Sequence, residues 1–435
     1  MTEQRVHERL RPTGLGVRTW WALVVVGLVG QIAWTVENMY LNLFVYDTIT
    51  DDPTVIAVMV AASAISATTA AFVVGAWSDR VGKRRVFISA GYVLWGLSTM
   101  AFGFATVESM ARLVPVASAV VAAATAVVLI DVVMSFLGAS ANDAAFNAWV
   151  TDVTDEGNRG RVDGVLSVMP LMSMLLVFGA LDGLTRSGAW QVFFVVVGLL
   201  MVVVGIVAAL LVHDRPNEPQ QHERMLRALG HNLRPSAVRA NPDLYLTLSA
   251  LAILGVSSQV FLPYLLIYIQ RYLRIEAYAL VLAVVLVGAS LVGVLGGRII
   301  DRVGKIAFML PAAGVYVVGL LLTFIARGLL PLIGAGLVLM SGFLLTTAAV
   351  NATIRDFTPE DRVGAVQGLR MVFFVLIPMV LGPFIGAAVI RGADEYYEEL
   401  GQLRQVPTPF IFLAAAVVVL LIVVPVRALR RRHQT

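Results

Sequence analysis

Apolar runs of about 20 to 30 residues alternate with short polar turns along this chain, and the alternation repeats twelve times. A helix rising about 1.5 Å per residue needs about 20 such residues to cross a hydrocarbon layer about 30 Å thick. Barrel strands would be far shorter and alternate in polarity. The pattern therefore predicts helical spans at 19–45, 54–77, 85–106, 125–150, 161–184, 189–212, 243–270, 277–299, 305–326, 330–353, 363–390 and 408–427. The first run holds Gln31, Glu37, Asn38 and Asn42 and lacks a small-residue cleavage site, so it reads as a retained helix and not a leader. Trp20 and Trp21 mark its interfacial end. The expected fold class is an all-α integral membrane protein with twelve transmembrane helices.

The polar turns carry a repeat. "DRVGK" occurs at Asp79 to Lys83 and again at Asp301 to Lys305, an offset of 222, each time after the second span of a six-span set. "NAWVTDVTDEGNRGRVDG" from Asn147 aligns without gaps to "NATIRDFTPEDRVGAVQG" from Asn351, offset 204, each after a fourth span. A weaker match pairs "MYL" at Met39 with "PYL" at Pro263. The fall in offset places surplus residues in the first half, and 107–125 is expected to be an extra outer loop or half-buried hairpin. The expected organisation is two six-helix bundles, 1–212 and 243–435, joined by a polar, Pro-containing cytoplasmic linker at 213–242 with one short amphipathic helix. Parallel repeats of this kind suit a transporter that rocks about a site near the midplane.

Composition agrees: 59% of the 435 residues are hydrophobic and 14% charged, and the mean hydropathy is +0.84, too apolar for a soluble domain. Placing both termini and the even-to-odd loops on one side puts about 25 of the 32 Lys and Arg there and about 7 on the other. Both termini are then cytoplasmic, in a plasma-membrane protein. The net charge of +4 needs no nucleic-acid partner to explain it. No cysteine is present, and all five histidines fall in cytoplasmic segments or at a span end, so neither a thiolate metal site nor a histidine proton relay is available. The absence of a phosphate-cradling "GxxxxGK[ST]" disfavours an ATP-driven pump and leaves an ion gradient or downhill flow.

Here a family resemblance becomes specific. "GAWSDRVGKRR" at 75–85, with its partial copy "GGRIIDRVGKI" at 296–306, resembles the signature loop of the major facilitator superfamily. "MYLNLFVYD" and "ANDAAFNAWVTD" are similar to the glycoside, pentoside and hexuronide cation symporters, the melibiose permease group. The resemblance implies alternating access, with Asp79 holding a cytoplasmic gate shut while the site faces outward. It also places Asp143 on the fourth-helix Asp that ligates the coupling cation. Three departures accompany it. Gln31 stands where those symporters carry a sugar-binding Asp, the second span lacks their pair of cation-ligating Asp residues, and their eleventh-helix Lys is missing, with Arg370 two positions earlier.

Candidate chemistry follows from polar groups inside spans, where an Asp costs about 2.5–3.5 kcal/mol to insert. Asp143, Glu37 and Asp131 are the cation or proton candidates, with H+ or Na+ as coupling ion and no other cofactor expected. Asp143 could instead sit in a fixed salt bridge with Arg370, and Asp131, nearer the outside, could be a solvated mouth residue. The solute candidates are Gln31, Trp34, Asn38 and Asn42, on one face of the first span, Asn142 and Asn147 on the fourth, and Gln259, Tyr264 and Tyr268 on the seventh. An aromatic plane beside amides suits a sugar ring, whose hydroxyls need paired donors and acceptors. The cytoplasmic gate candidates are Gly75, Asp79, Arg80, Gly82, Lys83, Asp152 and Glu156, with Asp301, Arg302, Lys305, Asp356, Glu360 and Arg370 in the second half. The expected function is cation-coupled symport of a glycoside or other small polar solute by a non-enzymatic, monomeric carrier in the lipid bilayer. A proton-coupled drug or metabolite exporter is the rival within transport, and a non-transporting sensor on the same fold the rival outside it.

Overall fold

The computed structural model describes residues 15–155, 157–214, 235–358, 363–399 and 402–433. Its twelve membrane-length helices are Val17–Thr48, Pro53–Val81, Arg84–Phe104, Ser118–Val153, Arg159–Arg186, Trp190–Leu211, Pro242–Tyr272, Tyr278–Gly297, Lys305–Ile325, Leu329–Asp356, Val366–Ala393 and Phe410–His433, called spans 1 to 12 below. Helices are the answer the solvent imposes, because hydrocarbon offers backbone N–H and C=O groups no partner and a helix pairs them internally. Most of the linker, 215–234, lies outside the described residues, as do Glu156 and Glu360.

The surplus segment of the first half is neither a loop nor a hairpin. It forms a short helix, Val107–Ala111, whose first turn Thr106 caps by accepting a bond from the Ser109 N–H at 3.2 Å. The rest lengthens span 4, whose helix begins at Val116. A hairpin does occur elsewhere, between spans 11 and 12, where strands β1 (Tyr396–Glu399) and β2 (Gln402–Gln405) pair antiparallel with Tyr396 opposite Gln405.

Both "DRVGK" turns reverse the chain through a glycine with positive φ, +66° at Gly82 and +93° at Gly304. A side chain is strained there, which is why glycine recurs at this register in both copies.

Several spans are not uniformly α-helical. Segments Val36–Leu41 of span 1, Ala139–Phe146 of span 4, Val177–Leu181 of span 5, Tyr268–Tyr272 of span 7 and Val372–Leu376 of span 11 are wound as wider π turns. A π turn takes up one more residue than an α turn, so everything beyond it is rotated by about 100° from where a regular helix would place it.

The chain clusters into two compact units: residues 1–35, 70–103 and 136–221, and residues 36–69, 104–135 and 222–435. Within the second, the ends of spans 1 and 2 away from the "DRVGK" turns are bonded to the second half of the chain. Asp47 pairs with Arg271 at 2.7 Å and Asp52 with Arg391 at 2.8 Å. The Gln405 N–H donates to Asp51 at 2.6 Å, and the Tyr46 hydroxyl donates to the Gln405 carbonyl at 2.7 Å. The Arg404 guanidinium donates to the Tyr46 carbonyl at 3.1 Å.

Candidate functional site

In the first unit, a cavity of about 140 Å³ is lined by Gly27, Gln31 and Trp34 of span 1, Asn142, Asp143, Phe146 and Asn147 of span 4, and Leu166 and Met169 of span 5. Asn142 and Asp143 sit in the π turn of span 4, and the Asn142 side-chain N–H donates to Asp143 Oδ1 at 3.0 Å. The Trp34 side chain also hydrogen-bonds the Asp143 carboxylate. Asn147 Nδ2 donates to the Asp143 carbonyl at 3.2 Å. The structure thus brings together Gln31, Trp34, Asn142, Asp143 and Asn147: one carboxylate, three amides and an indole on one wall. Such a wall can hold a proton at the carboxylate, pair donors and acceptors with hydroxyls, and stack an aromatic plane on a sugar face.

Behind that wall stands a residue that the pattern of polar positions did not single out. Tyr92 of span 3 is fully buried, and its hydroxyl contacts both the Val26 carbonyl at 2.9 Å and Asn142 Oδ1 at 3.0 Å. Its ring leans on Trp95 at 5.5 Å, and Trp95 on Trp34 at 5.2 Å. A tyrosine inside an apolar run is unremarkable by composition. The available signal was that its hydroxyl must find a partner once buried.

The first-span stripe divides at the π turn. Gln31 and Trp34 reach the cavity, whereas Asn38 lies within the turn and Asn42 just beyond it, both in the second unit. Asn38 is exposed, and buried Asn42 donates its amide to the Asn38 carbonyl at 2.9 Å, bonding within its own helix. The regular 3.6-residue spacing placed all four on one face, and the extra residue of the turn is the physical reason they part.

Glu37, within that turn, is buried and accepts a hydrogen bond from Ser135 at 2.8 Å. Asp131, one turn earlier on span 4, is 1% exposed, interacts with the Glu37 charge, and has one carboxyl oxygen without a hydrogen bond. Asp131 is therefore no solvated mouth residue but half of a buried carboxyl pair within the second unit.

The other second-unit candidates have structural neighbours. The Tyr264 hydroxyl lies within bonding distance of the carbonyls of Pro53 and Pro383, at 3.0 and 2.9 Å. Tyr268 is buried, stacked on Tyr272 at 5.3 Å and edge-on to Phe412. Gln259 is half-buried. Arg370 bonds Gln367 at 3.1 Å and Asn351 at 3.0 Å, the latter being the repeat partner of Asn147.

At the basic turns, Arg84 bonds Asp79 and Ser78 and reaches Asp152 at 3.4 Å, tying the turn after span 2 to the end of span 4. In the second half Lys305 holds both oxygens of Asp356 at 2.7 Å; Asp356 is the repeat partner of Asp152, while Lys305 is that of Lys83, one place before Arg84. Gly75 is half-buried on span 2, while Arg80, Lys83 and Arg302 are exposed; the side chain of Asp301 is outside the described part. The first-half bridge depends on Arg84, a residue of the signature loop that was not among the gate candidates.

Residues 23–343 and 247–435 match the family described as Major Facilitator Superfamily. No curated protein matches the chain by sequence. Among solved structures, the chain is similar to a point mutant of the nucleoside transporter NupG, at 11% identity and a TM-score of 0.72, covering 94% of this chain and 99% of that one. It is also similar to a partially occluded inward-open form of the xylose transporter XylE from E. coli, at 14% identity and 0.65, covering 93% and 96%. A bacterial homolog of the human lysosomal transporter Spinster, inward-facing and unoccupied, matches at 16% identity and 0.64, covering 96% and 95%. At these identities the likeness is one of fold.

Proposed function

Because the chain belongs to the Major Facilitator Superfamily, and is a transporter and not an enzyme, we propose that it carries a glycoside or similar small polar solute inward together with a proton, by alternating access between residues 1–212 and 243–435. The observation that carries this reading is the wall shared by Asp143, Trp34 and the amides of Gln31, Asn142 and Asn147. One carboxylate among neutral amides suits an uncharged, hydroxyl-rich solute and a single coupling proton. Sodium would need several hard oxygens at one place, and span 2 offers no carboxylate before Asp79. Two of the structural relatives are named for a nucleoside and for xylose, one a glycoside and the other a ring sugar, which supports the solute class. The basic-residue bias sets both termini in the cytoplasm, where the Arg84 and Lys305 bridges brace the two gate turns.

The test is the transient current evoked by a panel of sugars, glycosides and nucleosides in proteoliposomes on a solid support, at two pH values, with and without sodium. Wild type should give a solute-evoked, pH-dependent current, and Asp143→Asn should lose it while retaining downhill solute exchange. Silence across the panel from folded wild type would reject the symport reading and transfer the screen to amphipathic cations, as an exporter would require. A current that depends on sodium alone would reject the proton.

A further inference from the structure

Asp143 and Asn142 of the cavity wall and Tyr92 behind it have two complete ways to hydrogen-bond, and the structure shows one of them. A phenol has one proton to donate and lone pairs that accept. Tyr92 nevertheless lies within bonding distance of two carbonyl oxygens, Val26 O at 2.9 Å and Asn142 Oδ1 at 3.0 Å. Its proton can serve one of them at full strength. In the arrangement seen, donors run from Tyr92 to the Asn142 oxygen and from the Asn142 nitrogen to Asp143 Oδ1. That direction fits an ionised carboxylate, which only accepts.

A protonated Asp143 reverses the chain without loss. The new carboxyl O–H donates to the Asn142 oxygen once the amide has turned by half a rotation. The amide nitrogen then donates to the Tyr92 oxygen, and the Tyr92 proton passes wholly to Val26 O. One proton is taken up from water at Asp143, and no covalent bond elsewhere changes. Val26 O is the necessary fourth member, because without it the reversed chain would strand the phenolic proton in a buried site. Room for the turn is kept by Gly30, where a Cβ would overlap both the Tyr92 hydroxyl and Asn142 Oδ1.

We propose that Tyr92, Asn142 and the Val26 carbonyl form a two-position hydrogen-bond switch that reverses when Asp143 takes up its proton, passing that event from span 4 to spans 1 and 3. Tyr92 is a positioning residue in this scheme, acting on Asp143 through Asn142. The groups facing Asp143 are simple: span 1 brings Gln31 and Trp34, span 3 Tyr92, and span 5 Leu166 and Met169, so the phenol is the other titratable group of that surround among the described residues. The inference rests on the reading of Asp143 as the coupling carboxylate.

Difference infrared spectroscopy of the full-length protein in liposomes, without solute, tests it while pH is stepped between about 9 and about 4. Side-chain-labelled asparagine and ring-labelled tyrosine identify the bands in wild type, and Asp143→Asn, Asn142→Ser and Tyr92→Phe assign them to positions. A protonated-carboxyl band should appear that Asp143→Asn lacks. An asparagine carbonyl band missing from Asn142→Ser and a tyrosine C–O band missing from Tyr92→Phe should shift at the same midpoint. Static asparagine and tyrosine bands beside a titrating Asp143 would overturn the switch alone. If the Asp143 carboxyl does not titrate in this range, the switch and the coupling role of Asp143 fall together.

Discussion

At the scale of single residues, chemistry that is expensive in hydrocarbon announces itself. Glu37, Asp131 and Asp143 stand out in any reading of the chain because apolar spans so rarely hold carboxylates. Their environments do not stand out. Ser135 bonds Glu37, and Asn142 bonds Asp143, across contacts that no spacing rule supplies. Removing one partner of such a buried bond costs about 1–3 kcal/mol, so Ser135→Ala should lower the unfolding temperature in detergent by a corresponding few degrees. An unchanged temperature would show that Glu37 has an equivalent second donor. Gly30→Ala should cost a similar 1–3 kcal/mol, roughly, by overpacking against Tyr92 and Asn142, and should lower uptake as well. Normal stability and uptake in that variant would mean that span 1 can yield there. Tyr92 itself was illegible, since a tyrosine in an apolar helix gains meaning only from what its hydroxyl meets.

At the scale of elements, helix lengths were readable and helix irregularities were not. A hydrophobic pattern reports which residues meet lipid, and lipid-facing positions tolerate a π turn without a change in composition. The turn Val36–Leu41 consequently separated Asn38 and Asn42 from Gln31 and Trp34, which regular spacing had joined. It also sets the direction of Glu37. Deleting Met39 would return this stretch to plain α winding and rotate Glu37 by about 100° relative to the residues that follow. The Glu37–Ser135 bond should then be lost, so that Ser135→Ala adds nothing to the stability loss of the deletion. Losses that add to within about 0.5 kcal/mol would separate the turn from the orientation of Glu37. The hairpin Tyr396–Gln405 was missed for a related reason: "EYYEELGQLRQ" is polar and short, and its strands gain much of their support from Asp51 and Tyr46, far away in the chain.

At the scale of the molecule, the cluster of Asp47, Asp51 and Asp52 with Arg271, Arg391 and the hairpin fastens the ends of the second unit that lie away from the "DRVGK" turns. Asp52–Arg391 is exposed and Asp47–Arg271 half-buried; taken at the worth of surface pairs, about 0.2–1 kcal/mol each, both are weak enough for the opening that the proposed alternating access requires. Asp47→Asn combined with Asp52→Asn should raise the open population by a factor of roughly 2 to 30. Spin labels on Thr50→Cys and Asp394→Cys, placed in this naturally cysteine-free chain, should show it as a longer-distance component. An unchanged distance distribution would mean that Gln405 and Arg404 hold the end without the ion pairs. The sequence alone determined twelve helices, a twofold internal repeat and the gathering of the basic residues in alternate turns. The helices and the charge bias follow from rules acting locally, namely hydrocarbon thickness, internal pairing of backbone groups and the cost of moving positive charge, and the repeat is written in the residues themselves. Tertiary structure alone decided that Asp143 shares a cavity wall with Trp34 while Asp131 is buried beside Glu37, and that Asp52 meets a residue 339 positions away. Those outcomes depend on which helix faces which and on single-residue shifts in winding, and a face-to-face contact leaves no trace in the order of residues along either helix.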